Sequence, residues 1–312
     1  MERPPSSPNP ENPSHHEQQD SLAERLHLKE QWTKQVKVLQ ETGFLSIIPE
    51  THDFGYKDKG GNIYPVPTHI EIAKWLKHEE QAEFLEKKRE QGFTRLLLVP
   101  SKLPLSSFIK NYQDTIASHR KEGTLLLSDG TKVTGPPYEG EEVRVWEEYE
   151  NADSNGKLIY TPKEFSRNHG GIVKGDIPEG WTVILTEDLL NLPQEGKGET
   201  KGGRHQLETN KTPIEYLKLL QTTPPYKGEV GYTPETYIID AITRLEECNQ
   251  TTDDLTYSYL TGAYFFSAGL VPGAFFYRGY RRALLDGYGP GDRYGSRGVR
   301  VSILSLRNDT KS

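Results

Sequence analysis

The stretch "VPGAFFYRGYRRALLDGYGPGDRYGSRGVRVSI", residues 271–303, differs in composition from the rest of the chain. It is rich in Tyr, Phe, Gly, Arg and Asp, and it contains no Lys, Glu, Gln, Asn, His, Met, Trp or Cys. Side chains alternate between the two faces of a strand. One face is therefore predicted to carry Phe275, Tyr277 and Gly279, and the other to carry Ala274, Phe276 and Arg278.

Aromatic residues extend beyond this stretch, with eleven Tyr or Phe between Tyr257 and Tyr294, interleaved with Gly, Ser and Arg. This mixture is typical of binding surfaces, because Tyr and Arg offer large contact areas and hydrogen bonds. Some of the rings are expected to fill a β-rich core instead. A third interpretation, stacking on nucleic acid, is opposed by Asp286 and Asp292, since stacking surfaces normally lie in a basic groove. Binding that falls steeply with salt would support it.

The composition of the whole chain limits its partners. The chain has 312 residues, an apolar fraction of 33% and a formal net charge of −7. It can bury a core, but it lacks the basic surface that general binding to nucleic acid or anionic membrane needs. No apolar run could span a bilayer, and residues 1–20 lack the apolar core of a secretory signal. We expect a soluble protein without a signal peptide, cytoplasmic or virus-associated, of undetermined oligomeric state.

Three parts are predicted along the chain. Residues 1–20, rich in Pro, Ser, Asn, Glu and Gln, are expected to form a disordered leader. Residues 21–122 are expected to be a mixed α/β scaffold, and residues 123–312 a second domain.

Local patterns predict the main elements. Helices are predicted from Ser21 to a stop at Gly43, over residues 70–91 and over residues 105–119. Two more helices, over residues 212–221 and 233–247, begin at Thr-Pro pairs that suit an N-cap and a first helical position. A hairpin is predicted around Gly60 and Gly61. Strands are predicted at "FTRLLLVP", "GWTVILTEDL" and "RGVRVSILSL", and a long surface loop at "LPQEGKGETKGGRHQLETN".

Catalytic signatures are absent from the sequence or weak. There is no HExxH, GxSxG, phosphate-loop or CxxC pattern, and the histidines lie without metal-ligand spacing. No cofactor, metal or calcium site is therefore expected. The most enzyme-like stretch is "GGRHQLE", with Arg204 and His205, although a loop that covers the core is the simpler interpretation. Loss of a measured activity in a folded His205→Ala variant would support an enzyme.

Three segments, "PETYIIDAITRLEE", "SYLTGAYFFSAGLVPGAFFYRGYRRALL" and "GSRGVRVSI", resemble the variable proteins of diversity-generating retroelements. The last segment is similar to the closing G-x-R-V strand of the formylglycine-generating-enzyme branch of the C-type lectin fold. The resemblance covers about the last half of the chain. It implies an α+β fold in which a C-type-lectin-like domain, residues 123–312, follows a mixed α/β region and contains a variable region, residues 271–303.

In that family a reverse transcriptase copies a template RNA and misincorporates at adenines, and asparagine codons ending in a pyrimidine are the usual targets. Changing the two adenines of such a codon never yields Lys, Glu, Gln, Met or Trp, whose codons need a purine in the third position. None of these residue types occurs between Thr251 and Arg307, where Asp and Arg carry all the charge. The composition agrees with the mechanism that the resemblance implies.

The resemblance also assigns positions. The expected framework is Val271, Pro272, Ala274, Arg278, Arg281, Ala283, Pro290, Gly298 and Arg300. The expected variable, ligand-contacting positions are Phe275, Tyr277, Gly279, Tyr280, Leu284, Asp286, Gly287, Tyr288, Asp292, Tyr294 and Ser296. The implied function is non-enzymatic binding of a variable macromolecular target, with a protein as the expected class. The alternative is an enzyme of the same fold with an unidentified activity. Formylglycine-generating enzymes use a pair of copper-binding cysteines, whereas this chain has only Cys248.

Overall fold

Helices and strands are interspersed throughout the computed structural model, which describes residues 21–49, 51–77 and 79–305. Helices make up 33% and strands 24% of the chain, so it is mixed α and β, consistent with the predicted α+β class. Within the described part, no helix is long and apolar enough to cross a bilayer. The helices are α1 (Leu22–Arg25), α2 (Leu28–Glu41), α3 (His69–Leu76), α4 (Glu79–Glu90), α5 (Leu105–Glu122), α6 (Pro213–Thr222) and α7 (Pro234–Cys248).

The strands form two larger sheets and three small ones. They are β1 (Ser46–Ile47), β2 (Phe54–Lys57), β3 (Ile63–Pro65), β4 (Phe93–Pro100), β5 (Val143–Val145), β6 (Leu158–Tyr160), β7 (Trp181–Glu187), β8 (Thr200–Lys201), β9 (Arg204–His205), β10 (Glu229–Gly231), β11 (Tyr257–Tyr259), β12 (Ala263–Phe265), β13 (Val271–Tyr277), β14 (Arg282–Tyr288), β15 (Arg297–Val299) and β16 (Val301–Ser305).

The C-terminal strands link the two larger sheets. A four-stranded antiparallel sheet has the order β10-β16-β7-β4, and a five-stranded sheet has the order β15-β11-β13-β14-β5. In the second sheet, β15 is parallel to β11 and β5 is parallel to β14. The predicted terminal strand "RGVRVSILSL" is therefore two strands in two sheets, with Arg300 between them.

One large cluster of buried hydrophobic residues extends from Leu22 to Ile303, beside a small second cluster of Ile159, Tyr264 and Val271. The domain boundary predicted after residue 122 passes through the four-stranded sheet, because β4 pairs along its length with β7. Helix α5, which ends at that boundary, packs against α7. Residues 21–122 and the following chain thus share one core, and the predicted leader lies outside the described residues.

Most predicted elements are present, but two of the predicted helices are divided. The hairpin at Gly60 and Gly61 is confirmed by the pairing of β2 with β3, and α5, α6, α7, β4 and β7 lie where the patterns placed them. The single helix predicted from Ser21 is wrong: it divides at His27, whose φ of 49° is left-handed and cannot continue a right-handed helix. The helix predicted over residues 70–91 is also two helices, since α3 ends with Lys77 as its C-cap.

The N-terminal cap of α6 consists of two reciprocal hydrogen bonds between Thr212 and Glu215. The Thr212 hydroxyl accepts a hydrogen bond from the Glu215 backbone N–H at 3.2 Å, and the Glu215 carboxylate accepts one from the Thr212 N–H at 2.7 Å. We expect Thr212→Ala to lower the free energy of unfolding by about 1 kcal/mol in urea denaturation, because the Glu215 N–H loses its acceptor. Thr212→Ser keeps the hydroxyl and should remain close to the parent. Equal losses in both variants would contradict this role for the cap.

Candidate binding surface

The five-stranded sheet has two faces of different character. In the β13–β14 pair, Phe275 lies opposite Leu284, and Tyr277 lies opposite Arg282. Directly opposed residues point to the same side of a sheet, so both pairs share one face. The intervening residues Ala274, Phe276, Ala283 and Leu285 point to the other side and are at most 1% exposed. That second face belongs to the core.

Aromatic rings form a continuous row on the first face. Tyr257 packs on Phe275 with ring centroids 3.9 Å apart, Phe275 contacts Tyr277 at 6.1 Å, and Tyr277 contacts Tyr280 at 4.6 Å. Tyr280 stacks in turn on Tyr138 at 4.6 Å, with the ring planes 21° apart. We call this surface the aromatic face; its members are Tyr138, Tyr257, Phe275, Tyr277, Tyr280, Leu284, Tyr288, Tyr294 and Arg297.

Arg297 closes the row at the edge formed by β15. Its guanidinium carbon lies 3.8 Å from the ring centroids of both Tyr288 and Tyr294, and 5.8 Å from that of Tyr257. A planar cation between two rings interacts with the negative faces of both, and it also fixes the orientation of the rings. One end of the aromatic face is therefore held by a charge rather than by hydrocarbon packing alone.

We expect the loss of the Arg297 charge to lower the stability of the protein. Arg297→Met keeps the length of the side chain and removes the charge. We expect the free energy of unfolding to fall by about 1 kcal/mol in urea denaturation, which is typical of a partly desolvated cation–π contact. Arg144→Met is the matched control, because Arg144 is exposed on β5, the strand at the opposite edge of the same sheet. Equal effects of the two substitutions would show that the stacking adds nothing to stability.

The predicted variable positions differ in burial. Gly279, Tyr280 and Tyr294 are exposed, with Tyr280 at 39% and Tyr294 at 47%. Half-buried positions are Tyr277, Asp286, Gly287, Asp292 and Ser296. Phe275, Leu284 and Tyr288 are buried, between 6% and 8% exposed, because neighbouring rings of the same face cover them. A ligand at this surface would touch the exposed rim first.

Five of the predicted positions are not members of the aromatic face. Asp286 accepts a hydrogen bond from the Gly287 N–H at 2.9 Å. Gly287 points to the core side, where a Cβ atom would come within 2.5 Å of the Trp146 ring. Asp292 accepts a hydrogen bond from the Gly289 N–H at 2.9 Å and so holds its own turn. Ser296 contributes its carbonyl to the Tyr257 N–H at 2.9 Å, and Gly279 lies in the turn between β13 and β14.

Three members of the aromatic face escaped the sequence-based site prediction. Arg297 on β15 directly follows Ser296, and Tyr257 on β11 lies well before the predicted positions. Only strand pairing places these two residues beside Tyr288 and Phe275. Tyr138 lies in a loop far upstream, where its neighbours "GPPYEGEE" show turn chemistry alone. No local signal indicates that this ring reaches Tyr280.

The buried tyrosines of this sheet are neutral at physiological pH. Burial raises the pKa of Tyr257, raises that of Tyr259 to about 12, and raises that of Tyr288 further. Desolvation is the first cause in each case, because a phenolate loses hydration when it is buried. The surface therefore offers phenol hydroxyls as hydrogen-bond donors, and its fixed charges come from arginine and aspartate side chains.

The expected framework positions are mostly buried. Val271, Ala274, Ala283 and Arg300 are at most 4% exposed, and Pro272 and Gly298 are also buried. A Cβ at Gly298 would lie 3.0 Å from Leu192, which leaves little room for a side chain. The three others, Arg278, Arg281 and Pro290, are half-buried in the turns that flank β14.

The alternative site at Arg204 and His205 is an ion-pair cluster beside an exposed ring. Arg204 is 0% exposed, donates to both carboxylate oxygens of Glu229 at 2.7 and 2.9 Å, and donates to both oxygens of Glu187 at 3.2 Å. His205 points to solvent and contacts Glu208 at 3.2 Å. Every nitrogen of the Arg204 side chain thus donates to a carboxylate of β7 or β10 and ties the β8–β9 hairpin to the four-stranded sheet. This hairpin is part of the segment predicted to be a surface loop.

Within residues 21–49, 51–77 and 79–305, no group of three or more His, Cys, Asp or Glu side chains is arranged to hold a metal ion. Comparison of the chain with protein-family models, with curated proteins and with solved structures found no match. The function is therefore inferred from the aromatic face and from the residues that support it.

Proposed function

We propose that this chain is a non-enzymatic binding protein of the C-type lectin fold whose aromatic face recognises a variable target, and that a retroelement diversifies this face. The observation that carries the proposal is the division of β13 and β14 into two faces. On the aromatic face, Tyr277 is half-buried and Tyr280 and Tyr294 are exposed above the buried side chains of Phe275, Leu284 and Tyr288, whereas the opposite set, from Ala274 to Leu285, is at most 1% exposed.

A protein is the target class that the chemistry favours. Tyrosine and arginine dominate the energetic centres of protein interfaces, because each combines a large apolar surface with hydrogen bonds at a modest entropy cost. Here the rings of Tyr280 and Tyr294 are exposed at the two ends of the row, and Tyr277 lies half-buried between them. A shallow sheet with exposed rings at its edges is suited to another folded surface.

Two further features support the C-type lectin assignment. The segment that matches the G-x-R-V pattern, Gly298 to Val301, passes from one sheet to the other. In the second sheet β16 lies between β7 and β10. The end of the proposed variable region thereby lies in a central strand of the four-stranded sheet, which fixes the position of the backbone that follows the aromatic face.

The test is to sequence the 3′ end of the gene in a population, together with the flanking DNA. We expect substitutions at the codons for Tyr277, Tyr280, Leu284 and Tyr294, each traceable to an adenine in a nearby template repeat. The opposite-face codons, such as those for Phe276 and Leu285, are the internal control and should be constant. An invariant face, or equal variation on both faces, would overturn the proposal.

A further inference from the structure

An asparagine followed by a glycine lies in the turn that precedes β6. The turn spans residues 151–156, and Asn155 is exposed in it. The main chain of Asn155 is held, because its N–H donates to the Asn151 carbonyl at 3.0 Å. The side-chain amide of Asn155, by contrast, has no hydrogen-bond partner among the residues that the structure describes. This amide is therefore free to rotate about its own side-chain bonds.

The glycine that follows leaves its main-chain nitrogen unhindered. Gly156 has a φ of 66°, and its N–H finds no acceptor within the described parts of the chain. Glycine has no Cβ, so no side chain crowds the nitrogen from its own residue. Because Asn155 and Gly156 share a peptide bond, rotation of the Asn155 side chain alone brings its Cγ atom to this nitrogen.

Two aspartates that also precede glycines lack this freedom. The Asp129 carboxylate accepts hydrogen bonds from the Thr131 N–H at 2.9 Å and from the Arg278 guanidinium at 2.8 Å. The Asp286 carboxylate accepts one from the N–H of its own following glycine, Gly287, at 2.9 Å. The combination of a free side chain and a free glycine N–H is thus a property of the Asn155 turn.

We propose that Asn155 is a site of spontaneous deamidation, a modification of the chain that is independent of the function proposed for the aromatic face. The Gly156 nitrogen bonds to Cγ of Asn155, the bond from Cγ to the side-chain nitrogen breaks, and the Gly156 proton leaves with that nitrogen as ammonia. The product is a five-membered succinimide ring. Water then opens the ring at one of its two carbonyls and gives either aspartate or isoaspartate, so an amide and water become a carboxylate and ammonia.

The turn makes contacts that the isoaspartyl product would alter. The Asp153 carboxylate accepts a hydrogen bond from the Leu105 N–H at 2.7 Å, at the start of α5. The Ala152 carbonyl accepts one from the Leu158 N–H at 3.0 Å, at the start of β6. In isoaspartate the main chain through residue 155 is one carbon longer, which changes the spacing between Ala152 and Leu158. We therefore expect faster hydrogen exchange at the Leu105 and Leu158 amides of the isoaspartyl form.

The test is to incubate the full chain at mildly alkaline pH and to follow the Asn155 peptide by liquid chromatography and mass spectrometry. We expect it to change from the amide to the acid and to divide into aspartyl and isoaspartyl products. The rate should rise with pH, because the Gly156 nitrogen loses its proton in the first step. Retention of the Asn155 amide in the folded chain, with loss only in the chain unfolded by urea, would overturn the proposal.

Asn168 is the internal control. It is exposed in a turn, and its side chain also lacks a hydrogen-bond partner in the described chain, but the next residue is His169. The histidine side chain crowds the attacking nitrogen, so we expect Asn155 to convert several times faster than Asn168. Equal rates at the two asparagines would show that the glycine has no effect and would refute the assignment.

Two variants test the role of each residue of the pair. Gly156→Ala places a methyl group beside the nitrogen and should slow the conversion of Asn155 several-fold. The nearest atom to a Cβ at Gly156 is a Val173 methyl carbon at 3.8 Å, so the methyl group fits, although a φ of 66° is unfavourable for alanine. Asn155→Gln leaves the glycine in place and should keep its amide, because the longer side chain must close a six-membered ring. An unchanged rate in Gly156→Ala would contradict the proposal.

Discussion

Arg300→Leu is expected to lower the free energy of unfolding by about 3–5 kcal/mol, the cost of leaving a buried charge without its partner. Arg300 is 4% exposed and Asp253 is 0% exposed. The guanidinium donates to both Asp253 oxygens, at 2.7 and 2.9 Å, and to the carbonyls of Leu189 and Leu190 at 2.7 and 2.9 Å. Removal of the side chain leaves one carboxylate and two carbonyls to be satisfied by other groups.

This ion pair also supports the aromatic face. Asp253 has a φ of 54°, its N–H donates to Leu190, and its carbonyl accepts from the Phe276 N–H at 3.1 Å. Its carboxylate further accepts from the Ser258 hydroxyl of β11 at 2.5 Å. Loss of the pair should therefore loosen β11 and β13 together, which hydrogen exchange would detect as faster exchange in both strands.

The measurement is thermal and urea denaturation of Arg300→Leu beside a matched variant. For a domain of this size the expected loss corresponds to a decrease in melting temperature of about 6–20 °C. Arg293→Leu is the control, because Arg293 pairs with Glu215 at 2.6 Å while both side chains are about half exposed. That pair should contribute less than about 1 kcal/mol. Adding Asp253→Asn to Arg300→Leu should recover part of the lost stability. Similar melting temperatures for Arg300→Leu and Arg293→Leu would contradict the expectation.

The regular elements could be predicted where local chemistry determines them. The Thr-Pro pairs mark the starts of α6 and α7 because a hydroxyl cap and a proline at the first position act within one turn. The break at His27 has no such marker, since a histidine with positive φ carries no glycine or proline signal. The pairing between β4 and β7, which crosses the boundary predicted after residue 122, is a long-range contact that no local pattern indicates.

The candidate site was predictable to the extent that alternation determines it. Period-two alternation places Phe275 and Tyr277 on one face, and the same rule places Leu284 beside them once the register is known. Register depends on pairing between strands, so the core-facing position of Gly287 could not be read from its glycine-rich surroundings. The contribution of Tyr138 is likewise invisible locally, because its partner Tyr280 is distant in sequence.

Adjacent residues of β13 should respond very differently to truncation. Phe276 is 0% exposed on the core side, so Phe276→Ala should lower the free energy of unfolding by about 3–5 kcal/mol through lost burial and the cavity that remains. Tyr277 is half-buried on the aromatic face and contacts Phe275 and Tyr280 by their ring edges. Tyr277→Ala should therefore cost only about 1 kcal/mol, the value of its aromatic contacts. Urea denaturation of both variants is the measurement, and Phe276→Leu, which keeps most of the apolar volume, should lose less than about 1.5 kcal/mol.

The difference in stability loss between Phe276→Ala and Tyr277→Ala decides whether the residues of the aromatic face can vary. Native stability is about 5–15 kcal/mol, so a fold survives several losses of about 1 kcal/mol but few of the size expected for Phe276. Diversification therefore requires positions at which truncation lowers the free energy of unfolding only slightly. We expect the triple variant Tyr277→Ala, Tyr280→Ala, Tyr294→Ala to remain folded and to unfold cooperatively. If Tyr277→Ala alone costs as much as Phe276→Ala, the rings of the aromatic face belong to the core. A surface that cannot change without unfolding the protein could not be the variable part of a binding protein, and the proposed function would lose its structural support.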